Sequence, residues 1–178
     1  RHNPLDSLSI SSNNVYDVYQ DSKGIIWIGT FNGGLNRFDH ETNSFTRYPF
    51  GKDNKNSLSG NHVLNIFEDK DNTLWLATYG TGLSLFYPAT SVFKNFQKDT
   101  SYLNSLSQKF VYCIYQDQKG YMWIGTGSDG IKIFDEATKN ITHIRVKDGL
   151  ANNSVNGILE ADDKSFWISS NLGISKLN

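Results

Sequence analysis

Acids, histidines and a single cysteine are the residues of this chain that could do covalent or acid–base chemistry, and their spacing argues against most of it. Glycoside hydrolysis needs two carboxyls facing each other across the scissile bond. Asp21, Asp69 and Asp117 instead recur at one phase of a sequence repeat, as do Asp39 and Asp135. A residue that recurs with the repeat serves the scaffold. His2, His40, His62 and His143 fall in unrelated phases and lack the spacing of zinc ligands. Asp69, Asp71 and Asn72 offer oxygens to calcium, but the calcium-loop pattern is missing. Cys113 has no histidine at its repeat position and reads as a small buried filler. Gly33-Gly34 follows a strand but opens another strand rather than a phosphate-binding helix. No catalytic residue, no metal and no cofactor is expected.

Recognition chemistry fares better. Sugars are held by flat aromatic rings together with amide and carboxylate hydrogen bonds, and aromatic rings are rigid platforms. Such residues sit in segments that vary between repeats: Phe31 and Asn32 in Phe-Asn-Gly, Tyr79 in Tyr-Gly-Thr, and Asp129 in Gly-Ser-Asp. Asn14, His62, Lys109 and Phe110 occupy the matching connections ahead of each repeat's first strand. Phe31, Asn32, Tyr79, Asp129, His62 and Phe110 are the ligand-binding candidates. Asn13, Asn61 and Asn153 recur just before the first strand, which favours a turn or strand-entry role for them over recognition.

The elements that must position these residues follow from the repeat. Trp27, Trp75, Trp123 and Trp167 stand 48, 48 and 44 residues apart, each inside a similar stretch such as VYDVYQDSKGIIWIGTFNGGLNRFD. A period of this length signals a repeat architecture. Each copy holds four short candidate strands, in the first copy 15–20, 25–30, 35–39 and 45–48, rich in β-branched and aromatic residues and without helical periodicity. Asp21 to Gly24, repeated as Asp117 to Gly120, suits a tight turn ending in a left-handed residue, with Asn72 in the glycine position of copy two. Copy four is degenerate there, with Ala161 to Lys164. The second strand carries Trp on one face and Ile28, Leu76, Ile124 or Ile168 on the other, so it is buried on both faces. Four-stranded antiparallel sheets stacked radially as blades produce that burial. The Trp row is expected to pack between blades. Gly29, Ala77, Gly125 and Ser169, two residues on, are expected to leave room for a neighbouring large ring. Asp17, Asn65, Cys113 and Gly157 form a row of mostly small residues suited to an innermost strand.

Composition agrees. The chain has 178 residues, 38% apolar, 20% charged and 13% aromatic, which excludes disordered, collagen-like and membrane-spanning classes. Its formal charge is −1 without a basic stripe, so no nucleic-acid partner is expected. One cysteine permits no internal disulfide. The opening Arg-His-Asn-Pro, without Met or an apolar leader, suggests a piece of a longer protein.

Asn13 to Val15, Tyr19 to Asp21, Lys23-Gly24, Trp27 to Thr30, Gly33 to Leu35 and Phe38-Asp39 together resemble the two-component regulator propeller repeat. Copies one and three match closely, and copies two and four depart at the turn glycine. A sialidase-type Asp box differs, because here the acid stands one residue earlier. The resemblance implies an all-β propeller of four-stranded blades, with residues 1–178 a partial ring of a seven-bladed whole. The repeats run approximately 11–58, 59–106, 107–150 and 151–178, the last incomplete. It further implies an extracytoplasmic, periplasmic sensor region of a Bacteroidetes hybrid two-component receptor that recognises an oligosaccharide and signals to a histidine kinase. The implied partners are the remaining blades and an immunoglobulin-like domain of the same protein, and a homodimer mate is a further candidate. The alternatives are a non-catalytic scaffold for dimerisation or domain docking, and a propeller-type lyase or hydrolase.

Overall fold

A computed structural model describes residues 1–54, 56–96 and 110–177. The described residues form four antiparallel sheets, one per repeat, each with its strands in chain order. Blade one holds β1 (Val15–Gln20), β2 (Ile26–Thr30), β3 (Gly34–Asp39) and β4 (Ser44–Tyr48). Blade two holds β5 (Val63–Glu68), β6 (Leu74–Thr78), β7 (Gly82–Tyr87) and β8 (Val92–Phe96). Blade three holds β9 (Val111–Gln116), β10 (Met122–Thr126), β11 (Ile131–Phe134) and β12 (Ile141–Ile144). Blade four pairs β13 (Val155–Glu160), β14 (Phe166–Ser170) and β15 (Gly173–Leu177), leaving the outer edge of β15 unpaired among the described residues. The inner strands pack in sequence, β1 on β5, β5 on β9 and β9 on β13. The expected all-β propeller of four-stranded blades is the fold observed.

The cores lie between blades rather than within them, because a single sheet cannot bury both of its faces alone. Trp27 packs with Val63, Ile66, Leu74 and Phe86 of blade two. Trp75 packs with Val111, Ile114 and Phe134 of blade three. Trp123 stacks on Phe166 of blade four at a centroid distance of 3.9 Å. These three indoles are 1%, 3% and 6% exposed, whereas Trp167 is 43% exposed. β2, β6 and β10 are buried on both faces as expected, but β14 alternates between buried and exposed residues.

The glycine two positions beyond Trp27 and beyond Trp123 makes room for a valine of the next blade, not for the large ring expected. A Cβ at Gly29 would stand 2.9 Å from the Val63 carbonyl oxygen, and one at Gly125 would stand 2.9 Å from Cγ1 of Val155. The next blade's inner strand therefore approaches backbone to backbone. Bonds across the inner strands reinforce this approach. Asp17 accepts from Asn65 Nδ2 (2.9 Å) and the Ile66 amide (2.7 Å), and Asn65 Oδ1 accepts from the Ile114 amide (2.9 Å). Cys113 Sγ continues the row, 3.9 Å from the Val155 carbonyl. Burial pushes that thiol's pKa up to about 12.

The Asp-x-x-Gly turn forms in all four blades. The amides of Gly24, Asn72, Gly120 and Lys164 donate to the carbonyls of Asp21, Asp69, Asp117 and Ala161 at 2.8–3.0 Å, and all four residues have positive φ. The turn thus persists in blade four, although a lysine in that conformation costs about 1–2 kcal/mol. Asp21, Asp69 and Asp117 do more than shape the turn. One carboxylate oxygen accepts two turn amides, and the other accepts the indole N–H of Trp27, Trp75 or Trp123 at 2.8, 2.7 and 2.9 Å.

Candidate functional site

The loops between each blade's second and third strands are anchored in the same way. The amides of Phe31, Tyr79, Gly127 and Asn171 donate to the carbonyls of Asn14, His62, Phe110 and Ser154, just ahead of each first strand. Thr30, Thr78, Thr126 and Ser170 close the loop from beneath by donating to the carbonyls of Gly34, Gly82, Gly130 and Gly173 at 2.6–2.9 Å. Between the first and second strands the pairing jumps from Val15 to Asp17, Val63 to Asn65, Val111 to Cys113 and Val155 to Gly157. A bulge at Tyr16, Leu64, Tyr112 and Asn156 therefore turns that side chain out of the alternation, a standard use of bulges.

This scaffold assembles an aromatic ridge across three blades. Phe31 stacks on His62 with centroids 4.0 Å apart and planes at 22°, so one ring from blade one's loop lies on the entry residue of blade two. Tyr79 of blade two packs in the same manner on Phe110 of blade three, at 4.7 Å, and their backbones form an isolated antiparallel bridge. Tyr79 also lies 6.4 Å from Phe31 and 6.3 Å from His62. Tyr16 adds a ring 5.6 Å from Phe31, and Tyr112 one 6.5 Å from Tyr79. Tyr16 and Tyr79 are exposed, and Phe31, His62 and Phe110 are half-buried. The Asn32 amide donates to His62 Nδ1 at 3.1 Å, which leaves the neutral ring's proton on Nε2 as a hydrogen-bond donor. Asn32 has φ +69°, so the loop turns through it and its side chain is exposed. Of the sequence candidates, Phe31, Asn32, His62, Tyr79 and Phe110 come together.

Asp129 does not join them. Arg145 Nε donates to its carboxylate at 2.8 Å, and Lys132 Nζ and His143 Nδ1 lie 3.7 and 3.9 Å away. Burial disfavours the charge on Asp129, but the Arg145 bond and charge, with Lys132 and His143, outweigh it and hold the carboxyl below its ordinary range. Burial, together with Lys132 and Arg145, pushes the His143 pKa down. The side-chain oxygens of Asn13, Asn61 and Asn153 accept the amides of His2, Phe50 and Val146 at 2.8–2.9 Å, tying the residue just before each of these first strands to the segment that precedes it. Lys109 lies outside the described residues.

Tyr16 and Tyr112 were missed by the sequence reading. Their only signal is an aromatic residue directly after the strand-opening valine, Val15 or Val111, in copies one and three. On the opposite side, Asp69 directs both oxygens at protein donors, and no metal-ligating cluster occurs among the described residues. A cavity of about 1020 Å³ lies apart from the ridge, between blades three and four, floored by Trp123, Ile133, Phe166 and Leu177 beside β15.

Residues 9–32, 57–80 and 105–128 match the family described as the two component regulator propeller. The chain resembles the two-component regulator propellers. Each matched segment runs from the blade connection through the bulged strand and the Trp strand to the ligand-candidate loop. The extracellular domain of the hybrid two component system BT3049 from B. thetaiotaomicron is similar at 26% identity and a TM-score of 0.85, over 100% of this chain and 24% of that one. The extracellular domain of the hybrid two component system BT4673 from the same organism is similar at 28% identity and a TM-score of 0.75, over 100% of this chain and 26% of that one. The chain thus spans about a quarter of the length of these two extracellular domains. A streptogramin B lyase, at 17% identity and a TM-score of 0.64 over 90% of this chain and 49% of that one, shares the fold alone. No curated protein sequence matches the chain.

Proposed function

We propose that this chain is part of the periplasmic ligand-sensing propeller of a two-component receptor, and that its ridge holds an oligosaccharide whose binding is passed to a histidine kinase. The observation that carries this reading is the run of rings Tyr16, Phe31, His62, Tyr79, Phe110 and Tyr112 across three blades. It stands on the face whose loops differ between repeats, and the scaffold bonds beneath it are repeated. Tyr79 and Tyr16 offer flat surfaces, and His62 Nε2 and the exposed Asn32 amide supply polar contacts beside them. Similarity to extracellular domains of two component systems supports a signalling role outside the cytoplasm. No helix among the described residues is long and apolar enough to cross a membrane. The remaining length of those structures leaves room for the further blades and the immunoglobulin-like domain that this reading takes as partners within one protein.

The scaffold reading draws support from a different surface. Val15 and Val18 of β1 are 45% and 62% exposed, and Leu159, Trp167 and Ile174 of blade four are 61%, 43% and 68% exposed. Further blades packed on these faces would bury them as blades two to four bury Trp27, Trp75 and Trp123. The test of the sensor reading is calorimetric titration of the full-length protein with a panel of plant and host oligosaccharides, followed by Tyr79→Ala. Affinity should fall by more than about tenfold, or about 1.4 kcal/mol. Unchanged affinity in a folded variant removes Tyr79 from the site.

A further inference from the structure

We infer that Tyr112 is the ring by which blade three's first strand contacts the ligand and that Gly127 is the positioning residue that makes room for it. The assignment rests on the glycan reading above and deepens it. The loop position after the closing threonine carries a ring in blades one and two, Phe31 and Tyr79, but is Gly127 in blade three. The ring is supplied from elsewhere. A Cβ at Gly127 would stand 3.1 Å from both Cζ and the hydroxyl oxygen of Tyr112, and 3.0 Å from Cβ of Phe110. The end of the Tyr112 ring therefore fills the space next to where a loop side chain would begin. The bulge between Val111 and Cys113 aims it there.

The resulting pair is unlike the others on the ridge. Tyr79 and Tyr112 are parallel to within 5° at 6.5 Å, whereas Phe31 is tilted 52° from Tyr79 and lies with a face against His62. Tyr79 is exposed and Tyr112 half-buried, so a glycan that reaches from one ring to the other spans blades two and three. That reach suits a multi-unit glycan rather than a monosaccharide seated on one ring. The aromatic run stops at blade four, where the bulge and loop positions are Asn156 and Asn171, bonded to each other at 2.9 Å.

The test is calorimetric titration of the full-length protein with tetra- to hexasaccharides of the cello, xylo, manno and fructo series. Tyr112→Ala should weaken binding of the oligosaccharide that the wild type takes by at least about tenfold, about 1.4 kcal/mol. Tyr112→Phe should keep wild-type affinity, since the face and not the hydroxyl is used. Gly127→Val should weaken binding as Tyr112→Ala does, and the two together should lose no more than Tyr112→Ala alone. Tyr112→Leu, which keeps apolar volume without a flat face, serves if the alanine variant fails to fold, and should show the same loss. Wild-type affinity in folded Tyr112→Ala or Tyr112→Leu overturns the inference, as does an equal loss in Tyr112→Phe. Binding by the wild type that Tyr79→Ala abolishes and Tyr112→Ala spares overturns this inference and leaves the sensor reading standing. No binding of any series by the wild type overturns the glycan reading, and this assignment with it.

Discussion

Replacing Asp117 by alanine should cost more stability than any surface substitution in blade three, because one carboxylate holds three donors. It accepts the Lys119 amide at 3.0 Å, the Tyr121 amide at 2.8 Å and the Trp123 indole N–H at 2.9 Å. Asp117 is 8% exposed and Trp123 is 6% exposed, so water cannot simply replace the lost acceptor at the indole. An unsatisfied buried donor costs about 1–3 kcal/mol. Each turn amide, nearer to solvent, adds roughly 1 kcal/mol. The sum is about 3–5 kcal/mol, a large share of the roughly 5–15 kcal/mol that holds a typical domain. Asp117→Asn should fall between alanine and wild type, because one amide oxygen cannot serve both the turn and the indole. Urea unfolding of both variants, followed by tryptophan fluorescence and by circular dichroism, gives the losses. A double-mutant cycle with Trp123→Phe isolates the indole bond, and the coupling should be about 1 kcal/mol or more. A loss below about 1 kcal/mol for the alanine variant, or zero coupling, would refute the assignment of a shared turn-and-indole acceptor.

Gly29→Ala should cost about 1–3 kcal/mol by thermal unfolding, because its Cβ would enter the 2.9 Å gap to the Val63 carbonyl; a neutral result would show that the blades separate freely. Gly24→Asn should be tolerated to within about 1 kcal/mol, since Asn72 already holds the equivalent φ of +61°, whereas Gly24→Val should be markedly worse. Cys113, with its thiol pKa near 12, should resist alkylation at pH 8 until the protein unfolds; rapid labelling of folded protein would contradict its burial. The same shift has a sign in stability: above the ordinary thiol value of 9.0 the unfolded chain releases the thiol proton first, so stability should fall as pH rises from 9 towards 12, and Cys113→Ser should flatten that slope.

Much of the fold could be read from the repeat, and the reasons are local. The Trp strand, the turn ahead of it and the strand order depend on neighbours within one copy; the Trp strand recurs in all four copies and the turn aspartate in three. What escaped notice depends on contacts between copies. The Asp17–Asn65–Ile114 series joins residues 48 or 49 positions apart, and no feature of one copy points to the next. Gly29 was matched to a large ring when its partner is Val63, because the sequence gives the size of a gap but not its occupant. The candidate site divides similarly. Phe31, Tyr79, His62 and Phe110 stood out as rings or polar groups at variable positions, and the structure brings them into contact. Tyr16 and Tyr112 were hidden by bulges, which break the alternation that assigns a side chain to a face. Asp129 looked available in its loop, but Arg145, sixteen residues on, engages it.

Hydrogen–deuterium exchange on the full-length protein, with and without whichever oligosaccharide the titrations identify, tests most directly whether the ridge is the sensing surface. The account predicts ligand-dependent protection at residues 30–34, 61–64, 78–81 and 110–113. It predicts no change at the turns 21–24, 69–72 and 117–120, whose aspartates serve the scaffold. Protection confined to those turns, or to the groove between blades three and four, would contradict it.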